Sequence, residues 1–319
     1  MRLIVDTDTA GDDVFSLMIA LTRPGVSVEA ITIAHGNVGF AQHAENALAT
    51  LEVCGRAGDV PVYLGAERPL SRAPLAASYV FGADGMSDSG FRRAAQRPEP
   101  GEAADQIVRR IMAEPGEITL LAQAPLTNLA LAVMIEPRIA RACRHLWIMG
   151  GTDNGVGNVT PAAEYNFYVD PEAAKIVLAA GFDVSILTWT ETLRDGLLTL
   201  SQLAELAALE TPRSRFFTAV NRTSLDFAQR TQGLGGSLHP DALTCALALD
   251  EALILDAEMC AVDVETKGEL TRGYLSVSHP ILPDAELADP ELVRKPPNAR
   301  VIKSADRAGV FAAMKAALV

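Results

Sequence analysis

Short apolar segments alternate with helical apolar patterns along most of this 319-residue chain. Residues 3–5 are apolar, and after a polar turn the apolar residues between Val14 and Leu21 recur at helical spacing. Such alternation is typical of parallel strands joined by crossover helices that cover both faces of the sheet. It therefore predicts a single α/β domain over residues 1–319, with a mostly parallel central sheet and helices on both faces.

The same patterns place most of the elements. Apolar runs predict strands at residues 3–5, 26–34, 60–64, 118–122, 144–149, 182–187, 259–266 and 273–278. Helical spacing predicts helices at 40–56, 104–113, 127–135, 171–180, 200–209, 213–229, 241–250 and 305–318, with Asp170 as N-cap before Pro171. Residues 65–101 have little periodicity, which indicates an active-site lid or a disordered excursion. The Pro- and acid-rich stretch 279–298 predicts a surface loop.

The net charge of the chain limits the kinds of molecule that it is expected to bind. The formal net charge is −13, and such a surface repels phosphate backbones, so nucleic-acid binding is not expected. A neutral or cationic small molecule suits this charge better. No apolar stretch reaches the roughly 20 residues that cross a bilayer. The first residues form a strand pattern rather than a signal peptide, so we expect a cytoplasmic protein without membrane contact.

The four cysteines, Cys54, Cys143, Cys245 and Cys260, are scattered, and none forms a C-x-x-C pair. Scattered cysteines of this kind are more often small core residues than disulfide partners or metal ligands. We therefore expect core positions for them.

An acidic cluster follows the first predicted strand: Asp6, Asp8, Asp12 and Asp13 lie within eight residues. The dipole of the following helix explains Asp12 and Asp13 without any ligand. It does not explain Asp6 and Asp8, which extend an apolar strand and should be at least half-buried. Buried like charges repel strongly unless a cation or a proton neutralises them. The segment therefore predicts a metal site.

Two other interpretations of this segment fail on spacing. An EF-hand loop that starts at Asp6 needs an oxygen ligand at its fifth position and Glu at its twelfth, where this chain has Ala10 and Leu17. A phosphatase of the haloacid dehalogenase type has Thr or Val where Ala10 stands. Its second acidic pair also lies far along the chain, not five residues away.

Polar residues also follow the other predicted strands. Asn37 follows strand 26–34, residues 123–128 follow strand 118–122, Gly150 follows strand 144–149, and Asp241 begins a helix after Pro240. Parallel strands end at a shared edge, where open α/β folds bind ligands. Each of these residues alone is more often a helix cap. Together they predict one site at that edge.

Four motifs carry a resemblance to a known family. They are Asp6-x-Asp8-x-x-x-Asp12-Asp13, Pro125-Leu126-Thr127-Asn128, Asn158-x5-Glu164-x-Asn166, and the segment 268–273 with the sequence GELTRG. In kind and order they resemble the inosine-uridine-preferring nucleoside hydrolases, from residue 3 to near the C-terminus. The resemblance implies a Rossmann-like α/β domain, hydrolysis of the bond between ribose and base in ribonucleosides, a bound Ca²⁺, and a homodimer or homotetramer.

The resemblance also implies roles for individual residues. Asp8, Asp13, Asp241 and the backbone carbonyl of Gln123 would bind Ca²⁺; the family usually has Thr at the position of Gln123. Asp8 would accept a proton from the attacking water, with Asn37 and Asp241 completing the catalytic set. The ribose hydroxyls would be held by Asp12, Asn37, Asn158, Glu164, Asn166 and Asp241. Asp6 would lie behind the metal ligands.

The leaving-group side departs from the family pattern. Phe81 and Pro240 stand where family members often have histidines, and His239 lies one residue before Pro240. His239 either reaches the base or is a surface residue. Without a histidine acid, aromatic stacking can favour the protonated base, and Phe81, Trp189 and Phe227 are candidates, although each is also a plausible core residue. A large aromatic pocket favours purines. The alternatives are hydrolysis of another N-ribosyl compound and binding of a nucleoside or ribose without turnover.

Overall fold

The computed structural model describes residues 1–278 and 296–319. The strands are β1 (Arg2–Thr7), β2 (Ser27–Ile33), β3 (Val62–Leu64), β4 (Ile118–Ala122), β5 (His145–Met149), β6 (Val184–Leu187), β7 (Leu197–Thr199), β8 (Gly236–Leu238), β9 (Ile254–Val264), β10 (Leu275–Ser278) and β11 (Ala299–Ala305).

Helices connect these strands. They are α1 (Gly11–Thr22), α2 (Phe40–Val53), α3 (Ser78–Phe81), α4 (Ala103–Ala113), α5 (Thr127–Ile135), α6 (Ile139–Ala142), α7 (Tyr165–Val169), α8 (Pro171–Ala179), α9 (Trp189–Asp195), α10 (Leu200–Ala207), α11 (Pro212–Val220), α12 (Arg222–Arg230), α13 (Pro240–Leu249) and α14 (Arg307–Ala316). None of the helices in the described part of the chain is long and apolar enough to cross a membrane.

Within the described residues, nine strands form one sheet in the order β10-β9-β11-β6-β5-β4-β1-β2-β3. Neighbours from β3 to β11 run parallel, whereas β9 runs antiparallel to both β11 and β10. The strands β7 and β8 form a separate antiparallel pair. The mostly parallel α/β sheet predicted from the sequence is confirmed.

Alternating residues of β1 supply both faces of the sheet. Leu3 and Val5 belong to the core cluster that includes α1 and α13, whereas Ile4 belongs to the cluster with α4, α5 and α8. All three side chains are fully buried. Because β1 is covered on both faces, its carboxyl end delivers Asp6 and Asp8 into the protein interior rather than into solvent.

Some predicted elements need correction. The helix predicted at 213–229 is two helices, α11 and α12, separated at Asn221, whose side-chain amide donates to the carbonyl of Phe217 at 3.0 Å. The strand β11 was not predicted, because its segment mixes charged and apolar residues. The strand predicted at 259–266 begins earlier and spans β9. The N-cap role of Asp170 is confirmed, since its carboxylate accepts from the Ala173 amide at 3.1 Å.

Two segments, 65–101 and 279–298, have no predicted strand or helix. Residues 65–101 contain one helical turn, α3, and a single bridge from Glu99 to Tyr63, and a lid role for them stays a prediction. Of the surface loop predicted at 279–298, residues 279–295 lie outside the described part of the chain. The four cysteines form no disulfide with one another. Cys143, Cys245 and Cys260 are buried, as expected for core residues, whereas Cys54 is only half-buried.

Candidate active site

A cavity of about 830 Å³, measured to its open mouth, lies at the carboxyl ends of the parallel strands. Its polar lining consists of Asp12, Asn37, Gln123, Asn158, Glu164, Asn166 and Asp241, together with Ser224, Gln232 and Ser237. Its aromatic lining consists of Tyr79, Phe81, Tyr165, Trp189 and Phe227. The polar turns that follow separate strands in the sequence therefore converge on one space, as the parallel topology requires.

Three carboxylates come together at this cavity: Asp12 and Asp241 line it, and Asp13 is buried beside them. One oxygen each of Asp12, Asp13 and Asp241 lies within 4.8 Å of the others. Thr7 Oγ1 and the Ala10 amide donate to the Asp13 carboxylate at 2.6 and 3.0 Å and hold it in place. Burial, and then the charge of neighbouring aspartates, raises the pKa of Asp13 and Asp241 well above the ordinary value. These groups together attract a cation.

Asp8 lies beside this group but is not one of its three members. Its Oδ2 accepts from the Asn37 amide at 2.7 Å, whereas its Oδ1 is buried without a hydrogen-bond partner in the described structure. Burial, followed by the charge of Asp13, raises the pKa of Asp8. A Cβ on Gly36 would lie 1.8 Å from Asp8 Oδ2, so only glycine allows the loop to approach this closely.

Asp6 lies behind these carboxylates and does not line the cavity. Its Oδ1 accepts from Thr32 Oγ1 at 2.6 Å and from the Asn128 amide at 2.8 Å, and its buried Oδ2 has no partner among the described residues. Burial raises the pKa of Asp6 to about 7. The resemblance in the sequence implies a place for Asp6 behind the metal ligands, and this role stays a prediction.

Gln123 uses its side chain to support the site. Its Oε1 accepts from Ser16 Oγ at 2.5 Å, and its Nε2 donates to the backbone carbonyl of Asp241 at 2.6 Å. This amide therefore links α1 to the first turn of α13. Because the side chain is occupied in this way, only the backbone of Gln123 is left for the role of metal ligand that the sequence suggested.

The donor set fits a hard divalent cation. Four aspartates at the carboxyl ends of strands or the starts of helices supply oxygen atoms, and one of those oxygens, Asp8 Oδ1, is buried and unpaired. Unpaired buried carboxylates are costly, and a bound cation removes that cost. Oxygen-only donors suit Ca²⁺ or Mg²⁺ better than Zn²⁺.

The loop after β5 contributes a second polar group. Glu164 is the N-cap of α7: its Oε1 accepts from the Asn166 amide at 2.9 Å and its Oε2 from the Gly151 amide at 2.8 Å. Burial raises the pKa of Glu164 to about 7. The side chain of Asn166 donates to the Met149 carbonyl at 3.1 Å, and Asn158 Oδ1 accepts from the Tyr165 amide at 2.9 Å. This segment is thereby held rigidly at the cavity wall.

The aromatic candidates and His239 occupy different places. Phe81, Trp189 and Phe227 all line the cavity, whereas His239 does not. The His239 ring packs at 5.6 Å from the ring of Phe15 and 5.5 Å from that of Phe217. Neither of its nitrogens has a partner in the described structure, and burial lowers its pKa to about 3. The structure places His239 in the apolar core rather than beside the cavity or on the surface.

The sequence did not identify part of the wall. Tyr79, Met149, Tyr165, Ser224, Gln232 and Ser237 line the cavity and were not predicted. Tyr79 lies two residues before Phe81, and its ring is 5.7 Å from that of Phe227. Of these residues, Tyr165 could have been predicted from the sequence, because it lies between Glu164 and Asn166 of the polar motif. The other residues lie in segments without a chemical pattern.

Comparison with known proteins gives consistent results. The sequence profile of the family described as "Inosine-uridine preferring nucleoside hydrolase" matches residues 3–312. A Shewanella protein named pyrimidine-specific ribonucleoside hydrolase RihA is 32% identical, covering 96% of this chain and 92% of its own. A plant nucleoside hydrolase structure, PpNRh1, is 30% identical with a TM-score of 0.93, covering 99% and 98% of the two chains. A purine-preferring ribonucleoside hydrolase from Gardnerella vaginalis is 25% identical with a TM-score of 0.89, covering 100% and 98%.

Proposed function

The chain belongs to the inosine-uridine preferring nucleoside hydrolase family and is a ribonucleoside N-glycosyl hydrolase, and we propose that it uses Ca²⁺ and prefers purine ribonucleosides. The observation that carries the metal part of this proposal is the group formed by Asp12, Asp13 and Asp241, with the unpaired Asp8 Oδ1 beside it.

The proposed ligands of the ion are Asp8, Asp13, Asp241 and the backbone carbonyl of Gln123. All are oxygen donors, and ribose hydroxyls and water complete the six to eight ligands that Ca²⁺ takes. Asp12 is less buried than Asp13 and lines the cavity, so we assign it to a ribose hydroxyl next to the ion. We assign Asn37, Asn158, Glu164 and Asn166 to the same sugar, because they line the same wall.

When bound, the ion acidifies the attacking water and orients the ribose hydroxyls. The base that takes the proton of this water is Asp8. Its Oδ2 is already occupied by the Asn37 amide, so the buried Oδ1, which has no partner among the described residues, is the oxygen that we assign to the proton. The surrounding carboxylates stabilise the positive charge that develops on the ribose as the bond to the base breaks. Asp241 and Asn37 complete this catalytic set by holding the sugar against Asp8.

The preference for purines rests on the aromatic part of the cavity. Phe81, Trp189 and Phe227 line it, and Tyr79 packs at its rim. None of the described histidines lines it, so stacking and protonation from solvent take the place of a histidine acid. A purine offers the larger face to such a pocket. A relative named as pyrimidine-specific favours the second candidate, uridine and cytidine, on the same scaffold.

The test uses Ca²⁺-loaded protein with inosine, guanosine, adenosine, uridine and cytidine, and measures the ribose released as kcat/KM for each. We expect purine nucleosides to be cleaved best. Uridine cleaved as well as inosine would refute the purine preference. Release of ribose from none of them would direct the search to other N-ribosyl compounds.

Metal dependence is tested in the same assay. Exhaustive chelation should abolish turnover, and Ca²⁺ should restore it more fully than Mg²⁺, because Ca²⁺ takes six to eight oxygen ligands in flexible geometry, whereas Mg²⁺ demands a near-ideal octahedron and usually keeps several waters. Full activity after chelation would refute the metal proposal. A homodimer or homotetramer in the cytoplasm stays a prediction, which mass measurement in solution and cell fractionation check.

A further inference from the structure

We propose that His35, through Thr127 and Asp170, is a positioning residue that holds the loop of residues 35–37 against Asp8. This inference deepens the proposed function and rests on it, because it concerns the geometry of the carboxylate assigned as the base. His35 itself does not line the cavity. Its effect on the reaction is therefore exerted through its neighbours Gly36 and Asn37.

A directed chain of hydrogen bonds connects the three residues. Thr127 Oγ1 donates its one hydrogen to Asp170 Oδ2 at 2.6 Å, and that carboxylate also accepts from the amides of Leu70 and Ala173. Thr127 Oγ1 therefore has only acceptor capacity left for His35 Nε2, which lies 2.8 Å away. The His35 ring must carry its hydrogen on Nε2. The side chains of His35, Thr127 and Asp170 are all buried.

The ring is neutral at physiological pH, because burial lowers the pKa of His35 to about 4. A neutral ring with its hydrogen on Nε2 can donate to Thr127 in one orientation only. The orientation of the side chain is thus determined by Asp170, a residue on the far side of Thr127. A residue held in this way is a rigid anchor for the backbone that carries it.

The backbone of residues 36 and 37 contacts the Asp8 carboxylate directly. The amide of Asn37 donates to Asp8 Oδ2 at 2.7 Å, and Gly36 packs on the same oxygen so closely that a Cβ would lie 1.8 Å from it. The loop therefore engages one oxygen of Asp8 and leaves the other, Oδ1, for the reaction.

The segment 65–101 is attached to the same loop. The amide of His35 donates to the Ala66 carbonyl at 3.1 Å, and the Ala77 amide donates to the Asn37 carbonyl at 2.7 Å. Asp170 also holds this segment, through the Leu70 amide at 2.9 Å. The hydrogen bond of the His35 side chain to Thr127 ties the loop to the start of α5 instead. Without it, the loop loses this link to α5 and keeps its hydrogen bonds to the segment 65–101.

The expected effect is on catalysis more than on binding. Displacement of a catalytic group by about 1 Å can cost on the order of a hundredfold in rate. We expect His35→Ala to lower kcat by at least about tenfold on that basis, with a smaller change in KM. His35→Gln keeps a side-chain N–H that reaches Thr127 and should restore most of the lost activity.

A matched control is His145→Ala. His145 also bonds a side-chain hydroxyl through Nε2, that of Ser185 at 2.9 Å, but it stands at the amino end of β5, away from the cavity. This variant should lose stability without loss of kcat. Thr127→Val removes the hydroxyl from the middle of the chain and should reproduce the His35→Ala defect. The double variant should be no worse than either single one, because both break the same link.

Ca²⁺ affinity, measured by calorimetry with the metal alone, gives a second readout that needs no substrate. It should fall for His35→Ala, because Asp8 is a proposed ligand, and stay at the wild-type value for His145→Ala. If His35→Ala fails to fold, the Thr127→Val variant decides by the same two measurements.

Three results would overturn the proposal: an unchanged kcat in folded His35→Ala, no recovery with His35→Gln, or equal Ca²⁺ affinities in the two alanine variants. A wild-type protein that hydrolyses no ribonucleoside would refute the proposed function instead, and the affinities would still decide the positioning role.

Discussion

Removing the metal should make the stability of this protein fall as pH rises. In the folded chain the pKa of Asp6 and that of Glu164 are both raised to about 7, and those of Asp8, Asp13 and Asp241 are raised in the same direction, with burial as the main cause. In the unfolded chain these carboxyls titrate near pH 4. A group whose pKa is higher in the folded state stabilises the fold while it is protonated. That contribution is lost as pH rises through the folded-state value.

The size of this pH dependence follows from the number of extra protons that the folded chain holds. At a pH near 7, Asp6 and Glu164 are each half protonated in the folded chain, so together they hold about one proton that the unfolded chain lacks. One such proton corresponds to about 1.4 kcal/mol of unfolding free energy per pH unit. The raised pKa values of Asp8, Asp13 and Asp241 act in the same direction. From about pH 6.5 to 8.5 Asp6 and Glu164 release most of their protons, so the loss from these two groups is on the order of 1–2 kcal/mol, against a typical total stability of about 5–15 kcal/mol.

The assay is urea unfolding between about pH 6.5 and 8.5, with chelator or with saturating Ca²⁺. The buried histidines His35, His43 and His239 are neutral in the folded chain but still partly protonated in the unfolded chain near pH 6.5, so they contribute an opposite slope that fades above about pH 7.5. Glu191, whose pKa burial raises to about 9, adds to the fall of stability with pH. Because these contributions are the same with chelator and with Ca²⁺, the difference between the two series isolates the carboxylates of the site. Ca²⁺ favours the ionised carboxylates and should make the slope less negative. The stabilisation by Ca²⁺ should therefore grow with pH.

Two variants identify the source of the slope. Asp6→Asn keeps an oxygen for Thr32 and Asn128 but removes the titrating group, so the slope in chelator should fall by about 0.7 kcal/mol per pH unit near pH 7. Asp59→Asn changes an exposed acid paired with Arg56 and should leave it unaltered. A chelator series whose stability falls no more steeply with pH than that of the Ca²⁺ series would refute the reasoning.

The other predictions concern the proposed reaction. Asp13→Ala should abolish turnover and Ca²⁺ retention while the fold persists, as calorimetry and circular dichroism can check; retained activity would contradict the ligand role. 2′-Deoxyinosine should be hydrolysed at least about a hundredfold more slowly than inosine, because the loss of one hydroxyl leaves buried polar groups unpaired; comparable kcat/KM values would contradict the ribose assignment. His239→Ala should lower kcat on inosine less than about tenfold, and Phe81→Ala should lower it more, since a general acid contributes roughly 10²–10⁴; a hundredfold loss for His239→Ala would refute the stacking model.

Much of the fold was predictable because its signals are local. A buried parallel strand needs a continuous apolar run and an amphipathic helix needs a 3.6-residue period, and both are visible in the order of residues. The acidic cluster after β1 was visible for the same reason: adjacent carboxylates that extend an apolar strand indicate a cation in any context. Parallel topology then brought Asn37 and Gln123 to one edge, since strands that run the same way end on the same side. Asp241 follows β8 of the separate antiparallel pair and reaches this edge from the start of α13.

The elements that were missed depend on contacts that the spacing of apolar residues does not reveal. The strand β11 contains Arg300 and Lys303 and becomes a strand because β6 and β9 pair with it on either side. The break at Asn221 depends on a side-chain bond within one turn that periodicity does not detect. The irregular segment 65–101 contributes Tyr79 and Phe81 to the cavity through a single helical turn.

The sequence alone determined the class of fold, the position of the acidic cluster and the order of the motifs, because each of these is a pattern of neighbouring residues. Only the tertiary structure decided how individual side chains are used. Pro240 and Asp241 line the cavity, whereas His239, the residue just before them, packs between Phe15 and Phe217. Asp13 and Asp241 are 228 positions apart in the chain and yet share one group of carboxylates. The placement of these side chains depends on which surfaces meet when the sheet and helices pack, and the pattern of neighbouring residues does not reveal those contacts.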